Sequence, residues 1–309
     1  MKKLFCFILL LMPILSFSQT VHFVLFAATN DFKLGAASDA ALRYFQYEFV
    51  PLLGNVGFNV RPQYYAGSDF TRSNLDYAVS NLRTNSNDII IFYYTGHGYN
   101  NCTASNPNDF PTLLVGTNDG ENIPGKSKAE MDIFNALRVK PHKLLLTVAE
   151  SCNKCHRQNA SAIPRMVSYG AADVDVTKFR NLFLSSGDYL VSSCRKDEFS
   201  YGLQIGFFTG AFVDVLKEET AKESQSTPSW SSIFNKTATR TTNDASKSTD
   251  DNGNRCIQHP QFKEYGGSLP HSTLLSVAKS VFNGIFSVGD YVGGYQNGQK
   301  KRRRCIKME

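Results

Sequence analysis

The segment LLLTVAESCNKCHRQ, Leu144–Gln158, can be read as two incompatible structures. Cys152, Cys155 and His156 spell C-x-x-C-H, the attachment pattern of a c-type haem. The same Cys152 follows a mostly apolar run that reads as a strand covered on both faces, and a cysteine at such a strand end is placed as a nucleophile. One sulfur cannot be both a thioether anchor and a thiolate. Covalent haem also needs a looped or helical segment with room for a porphyrin and a defined axial site. Cys152 stands one residue beyond LLLTVAE, so the strand-end reading is preferred. A zinc site is weaker still, because no second Cys-x-x-Cys pair exists.

Working outward, the chain alternates strand and helix. VHFVLFAATN is a buried-strand pattern. SDAALRYFQYEFVPLLGNVGFNV reads as a helix, capped by Ser38 or Asp39 and ended by Gly54 and Gly57, with FNVRPQYY as the next strand. TRSNLDYAVSNLRT is a second amphipathic helix, capped by Asp69 or Thr71. NDIIIFYYTGHG is apolar at consecutive positions, like LLLTVAE, and KAEMDIFNALRV lies between the two as a third helix. GDYLVSSC reads as a strand, followed by the helices GFFTGAFVDVLKEET and SWSSIFNKTATRT. This order implies an α/β fold, a three-layer sandwich with a mostly parallel central sheet flanked by helices. The stretches after His97 and after Cys152, and TNDASKSTDDNGNRC, read as loops.

Two buried strands thus end in TGHG and AESC. If they are neighbours, His97 and Cys152 meet at one sheet edge, the edge where open α/β sheets bind ligands. A thiol beside an imidazole is the arrangement for nucleophilic cysteine catalysis. Glycines on both sides of His97 permit tight turns and close approach. The backbone N–H groups of Gly98 and Cys152 are candidates for an oxyanion hole.

These residues resemble the caspase–metacaspase superfamily of cysteine peptidases. IIIFYYTGHG followed by LLLTVAESC matches its His-Gly strand and its acid-x-Cys strand, at a separation comparable to the roughly 50 residues typical of caspases. YLVSSCRKDEFSYG, GFFTGAFVDVL and QHPQF continue the likeness in order, from about Val21 to Phe262. The resemblance implies a caspase-like fold over residues 19–285 and a cysteine endopeptidase with a His97–Cys152 dyad. It also implies an acidic pocket for Arg or Lys, built from Asp39, Glu150 and Glu198 or its neighbour Asp197. Three converging carboxylates would hold a guanidinium through charge-assisted bonds. Two of these acids have a plainer reading: Asp39 can cap its helix and Glu198 can be solvated. The arginine-lined pocket of true caspases has only Lys33 and Arg195 as nearby candidates. The chain departs from metacaspases in NKCH after Cys152 and in Glu rather than Asp at 150, and no third catalytic residue is evident.

The ends and the charge complete the reading. MKKLFCFILLLMPILSFSQT has a basic n-region, a short apolar core and small residues at 16 and 18, so residues 1–18 read as a signal peptide and the chain as periplasmic or secreted. The formal charge is +6, but residues 286–309 form an irregular tail ending in KKRRRCIKME. Without leader and tail the body is near neutral, so overall charge does not imply nucleic-acid binding. The expected partner is a protein or peptide substrate, with no stable membrane span. No cofactor is called for, although NDGEN and TDDNGN are candidate calcium turns that do not match an EF-hand. Two further readings stay open: a non-catalytic scaffold in which Cys155 locks Cys152 in a disulfide, and a redox role for that pair.

Overall fold

The structure, a computed structural model, describes residues 19–102, 109–116, 125–155, 173–202, 204–249 and 253–266. The expected signal peptide, the basic tail and NDGEN lie outside the described residues, as does part of TDDNGN.

Among the described residues, six strands form one sheet in the order β2-β1-β3-β7-β8-β9. They are β1 (Thr20–Ala27), β2 (Asn59–Ala66), β3 (Ile89–Thr95), β7 (Leu144–Glu150), β8 (Gly187–Ser192) and β9 (Gln261–Tyr265). All pairings are parallel except β8 with β9. Register matters most between the central strands: Thr95 lies opposite Glu150, and Ala27 opposite Thr95. Strands β1, β3 and β7 therefore end level with one another.

Side chains on successive strand residues point to opposite faces, and both faces of this sheet are covered. Ile89, Ile91 and Tyr93 pack with helix α1 (Gly35–Tyr44) and α2 (Val50–Asn55). The same layer takes in α5 (Val176–Phe183), α6 (Phe207–Glu219) and α7 (Trp230–Ser246). Ile90, Phe92 and Tyr94 pack on the other side with α3 (Arg72–Asn81) and α4 (Glu130–Arg138). This explains why β3 and β7 are apolar at consecutive positions, and it gives the expected sandwich. No described helix is long and apolar enough to cross a membrane.

Helix α7 runs on to Ser246, into the stretch read as a loop from Thr242, and the structure departs from the sequence reading in three further places. Helix α1 begins at Gly35, so Ser38 and Asp39 lie inside it and cap nothing. The cause is Asp31, whose Oδ1 accepts from the Lys33 and Leu34 N–H groups (both 2.8 Å) and whose carbonyl accepts from Gly35. That starts the first turn early. The segment VTKFRNLF, read within a loop, is α5. Asp175 caps it by accepting from Thr177 and Lys178, and Phe179, Leu182 and Phe183 supply its buried face. Lastly, the loop after His97 folds into a small antiparallel sheet of β4 (Gly98–Tyr99), β5 (Thr112–Leu114) and β6 (Ser127–Ala129). The Thr71 cap of α3 is as expected: its side chain accepts from the Asn74 N–H at 3.2 Å.

One aromatic knot joins α6, α7 and the β8–β9 edge. Phe234, 1% exposed, stacks on Phe212 and Trp230 and meets Tyr189 and Phe262, all with ring centroids within 6.1 Å. Phe234→Ala should cost about 3–5 kcal/mol in denaturant unfolding; a change below about 1 kcal/mol would mean the knot is not packed as described.

Candidate active site

His97 and Cys152 each stand two residues beyond level strand ends, Thr95 and Glu150, on adjacent strands. The crossing of their two loops is close. A Cβ on Gly98 would lie 2.6 Å from the Cys152 carbonyl and 2.6 Å from Ser151 Oγ, so only glycine fits without backbone movement. Gly96 donates to the Glu150 carbonyl at 3.1 Å. The His97 carbonyl accepts from the Leu114 N–H at 3.0 Å, and the Tyr94 hydroxyl lies 2.7 Å from it. Burial raises that tyrosine well above its ordinary range. The backbone carrying the imidazole is thus clamped from both sides.

The side chains themselves have separate partners. His97 Nε2 lies 2.7 Å from Asp31 Oδ2, whose side chain is fully enclosed. The half-buried Cys152 thiol donates to the Ser200 carbonyl at 3.8 Å. Burial pushes that thiol up to about 11, with the Ser200 contact acting the other way. Among the described residues no hydrogen bond joins the sulfur to His97. Asp31 is a third residue at this sheet edge, which motif reading did not find.

Of the two N–H groups expected at an oxyanion hole, that of Gly98 lies outside the β4–β5 ladder. Leu114 donates to His97, which makes Gly98 and Leu113 a non-hydrogen-bonded pair and leaves the Gly98 N–H out of the β4–β5 ladder. The N–H groups flanking Cys152 are committed, Ser151 to Ser193 Oγ (3.1 Å) and Asn153 to the Glu198 carbonyl (3.0 Å).

Cys155 is bonded to Cys102, with Cα atoms 5.1 Å apart. This decides the C-x-x-C-H question: Cys155 is not available as a haem thioether, and Cys152 remains a free thiol. It also overturns the Cys152–Cys155 pairing invoked in the scaffold and redox readings. The bridge joins the loop after His97 to the loop after Cys152. Among the described residues no group of three or more His, Cys, Asp or Glu is arranged to hold a metal ion.

The four acids expected around the substrate have different surroundings. Glu150 is buried under the N-terminus of α6, where its Oε2 accepts from the Thr209 hydroxyl and, at 3.3 Å, from the Thr209 N–H. Among the described residues no hydrogen bond reaches its Oε1. The carboxylate occupies the space a Gly206 side chain would need, the built Cβ falling 1.7 Å from Oε1. Burial pushes Glu150 up to about 7 despite the Thr209 bonds. Asp39 is half-exposed and pairs with Arg43 at 2.7 Å on its own helix. Asp197, in a left-handed conformation (φ 65°), pairs with Lys154. Glu198 accepts from the His259 N–H (2.8 Å) and meets its Nδ1 (2.7 Å), bracing the QHP segment. The described contacts therefore do not bring Glu198 or Asp197 to Glu150; each is bound elsewhere.

The caspase domain family matches residues 47–265, so the chain belongs to that family. No curated protein sequence matches it. Among solved structures it is similar to protein GSU0716 from Geobacter sulfurreducens, at 17% identity and a TM-score of 0.44, over 84% of this chain and 96% of that one.

Two predictions follow from the site's chemistry. Peptide mapping without reduction should yield a Cys102–Cys155 linked pair with Cys152, Cys194 and Cys256 alkylatable after unfolding. Replacing both bridge cysteines by serine should cost about 2–4 kcal/mol. A Cys152–Cys155 linkage would contradict the site. The second concerns Glu150, whose folded-state value lies above its unfolded one. Its stabilising contribution is full at pH below about 4.5 and is lost as pH rises through about 7. The stability of Glu150→Gln relative to wild type should therefore increase from pH 5 to pH 8.5, by up to about 3 kcal/mol. A pH-independent difference would place Glu150 in a wetter setting than the structure does.

Proposed function

We propose that this chain is an exported cysteine endopeptidase that uses Cys152 as nucleophile and His97 as base, and that it cleaves after Arg or Lys. The observation that carries the reading is the in-register pairing of β3 with β7, which delivers a histidine and a free cysteine to one sheet edge in a caspase-family chain. A Cys102–Cys155 disulfide suits an oxidising compartment, in keeping with the leader-like N-terminus.

In the proposed reaction His97 takes the thiol proton as Sγ attacks the scissile carbonyl carbon. Substrate has to replace the Ser200 carbonyl as the thiol's nearest company. The N–H groups of Gly98 and Cys152 receive the oxyanion. The imidazolium then protonates the leaving amine, giving a thioester. His97 next deprotonates a water that hydrolyses the thioester and restores the thiol. Because burial holds the resting thiol near 11, little thiolate exists at neutral pH without that transfer.

The basic preference is supported by Glu150, an enclosed acid with an unfilled oxygen two residues before the nucleophile. Asp39, the more exposed of the two, is assigned a supporting place in the pocket. A bound guanidinium would draw the proton from Glu150 and supply the missing partner. Peptide substrates differing only before the cleaved bond test this. Arg and Lys substrates should be cleaved and Asp substrates not. Cys152→Ala and His97→Ala should abolish turnover. Glu150→Gln should lower kcat/KM for Arg substrates by about 10–100-fold, the loss of one charged hydrogen bond, and Asp39→Asn by less. Preferential cleavage after Asp, or Arg cleavage unaffected by either acid variant, would refute the pocket; turnover by Cys152→Ala would refute the mechanism.

A further inference from the structure

We infer that Asp31 is a positioning residue for catalysis, holding His97 in the tautomer whose Nδ1 is free to take the Cys152 proton. The inference rests on the peptidase reading and extends it by a residue outside the dyad.

A carboxylate beside a histidine is not by itself a sign of catalysis in this chain. His22 pairs with Asp88, His142 with Asp188 and His259 with Glu198. What distinguishes Asp31–His97 is place and division of labour. His22 and His142 are enclosed, at 4% and 1% side-chain exposure, whereas His97 retains 14% and follows a strand end beside Cys152. Asp31 lies in the loop after β1, the neighbour of β3 on the side away from β7. That loop is tied to the histidine strand by the Ala28 N–H donating to the Thr95 carbonyl at 3.0 Å. The loop is tightly wound: a Cβ on Gly35 would lie 2.6 Å from the Thr29 carbonyl.

The two oxygens of Asp31 do different things. Oδ1 takes the N–H groups of Lys33 and Leu34, a purely architectural job that an asparagine oxygen could do as well. Oδ2 meets Nε2 of His97 at 2.7 Å. Burial alone would raise this acid, but the His97 hydrogen bond and the Leu34 and Lys33 N–H groups outweigh it and hold Asp31 below its ordinary value. An ionised carboxylate can only accept. Nε2 must then carry the proton, and Nδ1 is the ring nitrogen left with a lone pair to act as base.

Asparagine at 31 keeps the Oδ1 bonds and the shape but turns Oδ2 into an N–H donor. It would favour the opposite tautomer, with the proton on Nδ1. The test compares Asp31→Asn and Asp31→Ala in the full chain, using an Arg peptide substrate. Both should lower kcat by at least about 100-fold, since holding the wrong tautomer in a comparable triad is known to cost about 10⁴. Asparagine should be no better than alanine, although its thermal stability stays close to wild type. Affinity for uncleaved peptide, measured in a Cys152→Ala background, should be unchanged. A merely architectural Asp31 predicts the reverse order, with Asn near wild type and Ala impaired, and that result would overturn the inference. ¹⁵N NMR of the His97 ring gives a second readout that needs no turnover: the proton on Nε2 in wild type and on Nδ1 in Asp31→Asn. An unchanged tautomer overturns the inference while leaving the dyad standing. A wild type that cleaves no peptide, yet shows the tautomer exchange, overturns the peptidase reading instead and reduces Asp31 to an orienter of His97.

Discussion

The register of β3 against β7 is the constraint on which the rest depends. Parallel strands that end level at Thr95 and Glu150 put the second residue of each following loop side by side, and those residues are His97 and Cys152. A shift of one residue would turn every side chain on one strand to the other face and separate the pair. Such a shift would exchange Ile89, Ile91 and Tyr93 of one packed layer for Ile90, Phe92 and Tyr94 of the other, so what resists it is the close packing of differently shaped side chains on each face.

Around that juncture the loops are held by unlike means. Gly98 removes a side chain so that the two loops can touch. The Cys102–Cys155 bridge ties their continuations covalently. Asp31 reaches in from the loop after β1 and takes one nitrogen of the imidazole. Glu150, still within the strand, is turned under α6 and bonded to Thr209, so the acid two residues before Cys152 lies in an enclosed setting that favours its neutral form. The thiol rests on the Ser200 carbonyl, protonated. Burial disfavours charge on both Glu150 and the thiol, and a substrate that brings a cation to Glu150 and displaces the Ser200 contact would change both settings at once.

Much of this was legible in the chain. Consecutive apolar residues in IIIFYYT and LLLTVAE reveal strands covered on both faces, and the helices between them imply parallel pairing. What periodicity does not reveal is which strands are neighbours. That order puts Asp31 beside His97, and Cys102 within reach of Cys155, although 66 residues separate the first pair and 53 the second. Helix α1 shows the same limit: Ser38 and Asp39 are good capping residues, but the Asp31 turn starts the helix before them. Helix α5 was hidden because only three buried side chains, Phe179, Leu182 and Phe183, interrupt a polar stretch. The acidic pocket was inferred from residue types, and side-chain partners such as His259 on Glu198 and Lys154 on Asp197 cannot be read from types alone.

The central claim is that Cys152 is a free nucleophile while Cys155 is tied to Cys102. Mature protein treated at neutral pH with an alkylating peptide bearing Arg, then digested without reduction and mapped by mass spectrometry, addresses both halves in one sample. The account predicts the peptide adduct on Cys152 and an intact Cys102–Cys155 linkage in the same population. An unmodified Cys152, or Cys152 found in a disulfide with Cys155, would contradict it.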